Sequence, residues 1–212
     1  MNVSAQTILI ATMALVVVAS NILVQFLLGN WLTWAAFTYP LAFVVTDIAN
    51  RLYGTRVARK IVLYGFLIGV ICSLIAAQLT TVEGFPLTTL RIAIGSGVAF
   101  VVAQLIDVQV FSSLRTRVWW QAPLVSSVVG SVIDTALFFS IAFSSYFIFI
   151  HPMTDVGWAN EIVPLLGIGA SAPLWVSLAM ADFGAKMVVA LAGLFVFRWV
   201  TSTAVYEKGR SN

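Results

Sequence analysis

The sequence predicts an all-α integral membrane protein with six transmembrane helices and both termini in the cytoplasm. Two observations predict it. Hydrophobic residues make up 61% of the 212-residue chain and charged residues only 9%, with a mean hydropathy of +1.03, far from the norm for soluble domains. The positive charges also fall in short segments after every second apolar run, a distribution that sets topology in a bilayer. A chain of 212 residues has room for about six spans of roughly 20–25 residues with short connections and little else. Residues 1–212 therefore read as one domain. The net charge of +3 marks orientation and does not form a patch for nucleic acid.

The first apolar run, "ILIATMALVVVASNILVQFLLG", places a span near 6–28. It has no lysine or arginine before it and exceeds the length of a signal-peptide core, so a retained helix is expected. Spans follow near 32–50, 58–80, 89–113, 122–149 and 171–198. Arg51, Arg56, Arg59 and Lys60 follow the second span; Arg115 and Arg117 follow the fourth; Arg198, Lys208 and Arg210 follow the sixth. On the opposite side Glu83, His151, Asp155 and Glu161 accompany a single arginine, Arg91. Positive charge stays inside, which puts both termini in the cytoplasm and requires an even number of spans. The stretches "QAPLVSSVVGSVIDT" and "IGASAPLWVSLAMADFGAK" are rich in the small residues that let helices approach closely in lipid. Cys72 is the only cysteine, so neither a disulfide framework nor a cysteine metal site is expected.

Five ionisable groups remain inside the expected spans: Asp47, Asp107, Asp134, Asp182 and Lys186. Each costs about 2.5–3.5 kcal/mol at a helix centre on the insertion scale, so each needs a partner or a wet cavity. Asp47 lies four residues before Arg51, one helical turn away, which suits a structural anchor or gate latch at the cytoplasmic border as well as substrate contact. Asp107 shares a face with Gln104 and Phe111 and is within reach of Arg115, so it reads as structural or gating. Ser127, Gly130, Ser131 and Asp134 form a small polar stripe. Packing alone explains a small stripe, but it does not need a carboxylate at mid-membrane, so Asp134 reads as cavity-lining. Asp182 and Lys186, again four apart, form either a self-neutralising pair that eases insertion or a cavity-facing pair. Asn21 and Gln25 share a face of the first span and either glue helices or read a donor–acceptor pattern.

Several acceptors, a few amides, one ammonium and many aromatics suit a planar heterocycle with N–H donors on its edge. Trp31, Trp119 and Trp120 lie near span ends, where an interfacial belt explains them. Trp34 and Phe37 are the better cavity candidates. His151 is the only histidine and the intramembrane aspartates are scattered in sequence, which argues against a membrane metalloenzyme. No metal or cofactor is expected.

The motifs "SNILVQ", "TWAAFTYPLAFVVTDIANRLYG", "RVARK", "AQLIDVQVFSSLR" and "DTALFFSIAF", followed by Asp182 and Lys186, resemble the queuosine-precursor transporter family in order across nearly the whole chain. The resemblance implies a multi-pass inner-membrane importer of 7-cyano-7-deazaguanine or 7-aminomethyl-7-deazaguanine, salvaged for tRNA modification. It implies functional weight for Asn21, Gln25, Trp34, Asp47, Arg51, Arg91, Gln104, Asp107, Asp134, Asp182 and Lys186. With Phe37 added, Asn21, Gln25, Trp34, Gln104, Asp134, Asp182 and Lys186 form the expected substrate-binding set. Asp47, Arg51, Arg91 and Asp107 form the gating or structural set. It also implies a fold similar to the substrate-binding subunits of energy-coupling-factor transporters, whose first helix usually offers alanines four apart to a coupling subunit. Ala11, Ala14 and Ala19 lack that spacing. The sequence also has no Walker-type phosphate loop, so the chain is not expected to hydrolyse ATP by that route; with the alanine spacing, a transporter without an ATPase partner is expected, by facilitated diffusion or proton coupling. The partners expected are the small deazapurine and the lipid bilayer, and no nucleic acid. Another purine-like or vitamin cargo is the alternative, and a scaffold subunit that carries nothing is the more distant one.

Overall fold

The computed structural model describes residues 3–80, 84 and 86–210. Glu83, and the side chains of Lys208 and Arg210, lie outside what is described. The architecture is all-α: α1 (Val3–Leu23), α2 (Ala35–Thr38), α3 (Leu41–Tyr53), α4 (Thr55–Gln78), α5 (Leu90–Leu114), α6 (Gln121–Phe143) and α7 (Leu174–Arg210). Two small antiparallel ladders accompany them: β1 (Leu27–Leu28) with β2 (Leu32–Thr33), and β3 (Ile162–Pro164) with β4 (Ser171–Pro173). Among the described residues five helices are long and apolar enough to cross a membrane: Ala5–Leu23, Thr55–Gln78, Leu90–Leu114, Gln121–Phe143 and Leu174–Thr203. The chain is a multi-pass membrane protein, with large apolar side chains such as Leu15, Leu74 and Phe195 on its outer surface.

The expected second span, 32–50, is not a single helix. Its first residues pair as β2, and Pro40 separates the four-residue α2 from the 13-residue α3. Proline has no N–H to donate, so it can only open a helix without breaking the ladder. Around it the bonds shorten to three-residue steps, Ala42 N–H to the Tyr39 carbonyl at 3.1 Å and Phe43 N–H to the Pro40 carbonyl at 3.1 Å. α3 is nevertheless the centre of the bundle. It packs against α1, α4, α5, α6 and α7, and every residue from Ala42 to Asn50 except Val44 is buried.

Helix ends follow local chemistry. Gly54 closes α3 at φ 85°, a conformation that penalises residues with a Cβ, and α4 begins at once at Thr55. The basic residues 56, 59 and 60 therefore sit in the opening turns of α4 and not in a loop. Thr89 caps α5 by accepting the Ile92 N–H at 3.2 Å. α6 stops at Phe143, six residues short of the expected 149. The buried Arg91 takes the carbonyls at its end, bonding Ile141 at 2.6 Å and also Ser144. The Ile141 carbonyl is an orphan acceptor of the helix terminus, and that of Ser144 also accepts the Phe147 N–H at 3.2 Å. The apolar run beyond it turns as 3-10 helix, Ser145–Ile150.

The small stripe of α6 works as a seam against α3: a Cβ on Gly130 would lie 2.7 Å from the Phe43 ring. A second core joins α1, α3, α4 and α5 through Met13, Val17, Val45, Ile61, Val62 and Phe100.

Candidate functional site

The helices α1, α4 and α6 finish, and α5 and α7 begin, at one end of the bundle, where the β1–β2 hairpin also lies. A cavity of about 520 Å³ occupies this hairpin end, within the size range of small-ligand sites. Its floor is a charged cluster contributed by α6 and α7. Lys186 Nζ lies 2.6 Å from Asp134 Oδ2 and 2.5 Å from Asp182 Oδ2, and donates to Thr135 Oγ1 at 2.9 Å. Thr135 in turn donates to Asp182 Oδ2 at 2.9 Å. The i,i+4 spacing of Asp182 and Lys186 thus delivers an ion pair, and Asp134 turns the pair into a bridge between two helices. Asp134 and Lys186 are both 3% exposed. Buried charges survive only when paired and hydrogen-bonded, as here.

Tyr39, Phe138, Phe139, Phe143, Trp158 and Trp31 supply an aromatic wall. Ring centroids run 5.1 Å from Phe138 to Phe139, 5.8 Å from Phe139 to Phe143 and 5.6 Å from Phe143 to Trp158, the spacing of tilted and edge-to-face pairs. Asn21 and Gln25 line the cavity from α1. Asn21 donates its amide to the Val17 carbonyl at 2.9 Å, so its oxygen is the group left for a ligand; Gln25 reaches the Leu87 carbonyl at 3.4 Å. A small ligand could stack on the wall and present donors to the floor.

Three members of the expected substrate-binding set lie elsewhere. Trp34 and Phe37 are not part of the cavity wall; Trp34 is 49% exposed. The hairpin turns Trp31 into the cavity instead, a residue whose place near a span end suggested an interfacial role. Gln104 is buried below the floor, where its Oε1 accepts from Thr46 Oγ1 at 2.7 Å. The sequence missed Tyr39, Thr135, Phe138, Phe139, Phe143 and Trp158. Phe138 sits one turn after Asp134 and was findable by that spacing. Trp158 comes from a loop, and no periodicity marks it.

Below the floor lies a second polar layer. Asp47 accepts from Ser126 Oγ at 3.2 Å and Ser127 Oγ at 3.4 Å. The fully buried Asp107 lies in the same layer, beside Asp47 and Ser126. The expected Asp47–Arg51 and Asp107–Arg115 pairs do not form. Arg51 reaches across instead, donating to the Arg115 carbonyl at 2.7 Å, and Arg115 donates to the Arg51 carbonyl at 2.6 Å. The carbonyls at the ends of α3 and α5 compete successfully for the guanidiniums because a helix C-terminus leaves them unpaired. Arg51 also packs 5.8 Å from the rings of Phe111 and Phe197, and Arg198 lies 4.6 Å over Trp119. Arginines thus gather at the end of the bundle opposite the cavity. Among the described residues no group of three or more His, Cys, Asp or Glu is placed to hold a metal ion.

A family described as "Putative vitamin uptake transporter" matches residues 33–200. Among curated proteins the chain is similar to the "Queuosine precursor transporter" of Escherichia coli, 37% identical over 142 residues covering 61% of this chain and 64% of that protein. It is 40% identical over 121 residues to a "Probable queuosine precursor transporter" of Haemophilus influenzae, covering 52% of each. A protein of the same description from Bacillus subtilis is 32% identical over 138 residues, covering 55% of this chain and 58% of that protein. The chain spans between about half and two thirds of the length of these relatives. No solved structure matches it.

Proposed function

The chain belongs to the vitamin uptake transporter family, a family of transporters and not of enzymes, and from that premise we propose that it imports queuosine precursors across the inner membrane. The cargo in this reading is 7-cyano-7-deazaguanine or 7-aminomethyl-7-deazaguanine, which the names of the relatives support. The observation that carries the reading is the hairpin-end cavity, closed below by the Asp134–Lys186–Asp182 floor and walled by aromatic rings. A deazaguanine offers a π face to the wall and N–H donors to the carboxylates and the Asn21 oxygen.

In this reading the protein is one domain of six spans with both termini cytoplasmic, similar to energy-coupling-factor substrate-binding subunits. The span beyond the five long helices, second in chain order, is the α2–α3 pair: Tyr39 and Pro40 keep helical dihedrals between the two pieces, and residues 35–53 at 1.5 Å each rise about 28 Å, close to the hydrocarbon thickness. The arginine end faces the cytoplasm, so the cavity faces outward and the Arg51–Arg115 clasp closes the inner side. The spacing of Ala11, Ala14 and Ala19 supports work without an ATPase partner.

The test is the queuosine content of tRNA in cells blocked in early queuosine synthesis, expressing this protein and fed either precursor at low concentration. Restored queuosine is expected, lost again in Asp134→Asn at normal membrane levels. Cells that stay without queuosine despite well-inserted protein would refute the cargo or the solitary mechanism. Restoration that survives Asp134→Asn would remove the floor from the pathway.

A further inference from the structure

The charge count of the cavity floor carries an inference that rests on the proposed function and narrows it. We propose that the cavity selects for a ligand bearing one positive charge, so that the aminomethyl form, an ammonium at neutral pH, is preferred over the uncharged cyano form.

The floor holds two carboxylates and one ammonium. Lys186 lies within 2.6 Å of both Asp134 and Asp182, so the cluster carries a formal charge of −1. Among the described residues no other lysine, arginine or histidine lines the cavity. The nearest candidate by sequence, Arg91, points its guanidinium at the Ile141 and Ser144 carbonyls and lies outside the lining. No cation among the lining residues therefore offsets the second carboxylate.

The two carboxylates are not equivalent. Both meet Lys186 through Oδ2, but the Asp134 side chain is 4% accessible and that of Asp182 17%, and the Thr135 hydroxyl also bonds Asp182 at Oδ2. Its remaining oxygen is the acceptor left for the cavity. One ammonium shared between two carboxylates leaves the cluster one positive charge short away from bulk water, and a ligand ammonium brought beside the more accessible carboxylate supplies it. A nitrile offers only a weak acceptor there, so its nitrogen lone pair would oppose the carboxylate. The electron-rich faces of Tyr39, Phe138 and Phe139 favour the cation further.

The experiment measures displacement of labelled aminomethyl ligand from the purified full chain by three competitors: the aminomethyl form, its N-acetyl derivative, which keeps the arm but loses the charge, and the cyano form. The aminomethyl form is expected to bind about tenfold or more tightly than either neutral ligand, equivalent to about 1.4 kcal/mol. In Asp182→Asn this ratio should fall to near unity. Equal binding, or tighter cyano binding, overturns the inference and leaves the proposed function standing. An N-acetyl ligand that binds as well as the ammonium also overturns it, because the arm and not its charge would then be read. If no deazaguanine binds to folded protein, the proposed function falls and takes the inference with it. The three-ligand ratio on the unsubstituted protein decides the matter even if Asp182→Asn does not fold.

Discussion

Replacing Lys186 with methionine keeps the length and apolar stem of the side chain and removes only the ammonium. In the native protein that ammonium contacts two carboxylates at 2.6 and 2.5 Å and a hydroxyl at 2.9 Å. Lys186→Met leaves Asp134 and Asp182 facing each other's charge, with Thr135 able to donate to only one of them. Removing one partner of a buried ion pair costs about 3–5 kcal/mol. At about 2–4 °C per kcal/mol for a chain of this size, the melting temperature should fall by roughly 6–20 °C. The assay is thermal unfolding of purified protein in detergent, followed by tryptophan fluorescence. Adding Asp134→Asn to Lys186→Met should recover part of the loss, since the two positions share one network and their effects cannot add. A Lys186→Met protein that melts within about 2 °C of the native one would show that the carboxylates are solvated without the lysine. The reasoning about the floor would then fail.

Three further outcomes follow from the packing and the polar layers. Gly130→Leu drives a side chain into the Phe43 ring, which already stands 2.7 Å from where a Cβ would be; overpacking of this kind costs about 1–3 kcal/mol, read as lower melting temperature, and Phe43→Ala in the same chain should return part of it. Thr46→Val removes the 2.7 Å bond to Gln104, whose Nε2 already lacks a partner, for a loss of about 1–3 kcal/mol in the same assay. Arg51→Gln and Arg115→Gln each break half of a reciprocal clasp; the double variant should change uptake by little more than either single one, and additive effects would show that the two arginines act independently.

Much of the fold was legible because hydropathy is a property of the chain itself. Five of the six expected spans coincide with long helices, their ends moved by a few residues where a cap or a break intervened. The second is not one continuous helix, for a physical reason: a window average does not see that Pro40 lacks an N–H, nor that residues 32 and 33 pair with 27 and 28. The end of α6 was misplaced because the chain turns extended at Ser144 and its last carbonyls are taken by Arg91, 50 residues away in sequence from Ile141.

The site divides in the same way. The list of intramembrane charges could be read directly, since a carboxylate in a 20-residue apolar run stands out, and the spacing of Asp182 and Lys186 foretold their pairing. Spacing failed for Asp47 and Arg51, which share a helical face but have different partners. Local geometry says which groups can meet; competition from neighbouring helices decides which do. The sequence by itself therefore determined that the chain lies in lipid, that its arginines gather at one end of the bundle, and which charges need company there. Only the tertiary structure decided that Asp134 joins Asp182 and Lys186 in one floor, that Trp31 and not Trp34 faces the cavity, and that Gln104 and Asp107 lie beneath it. Those outcomes depend on contacts between helices distant in sequence, and no periodicity within a single helix encodes them.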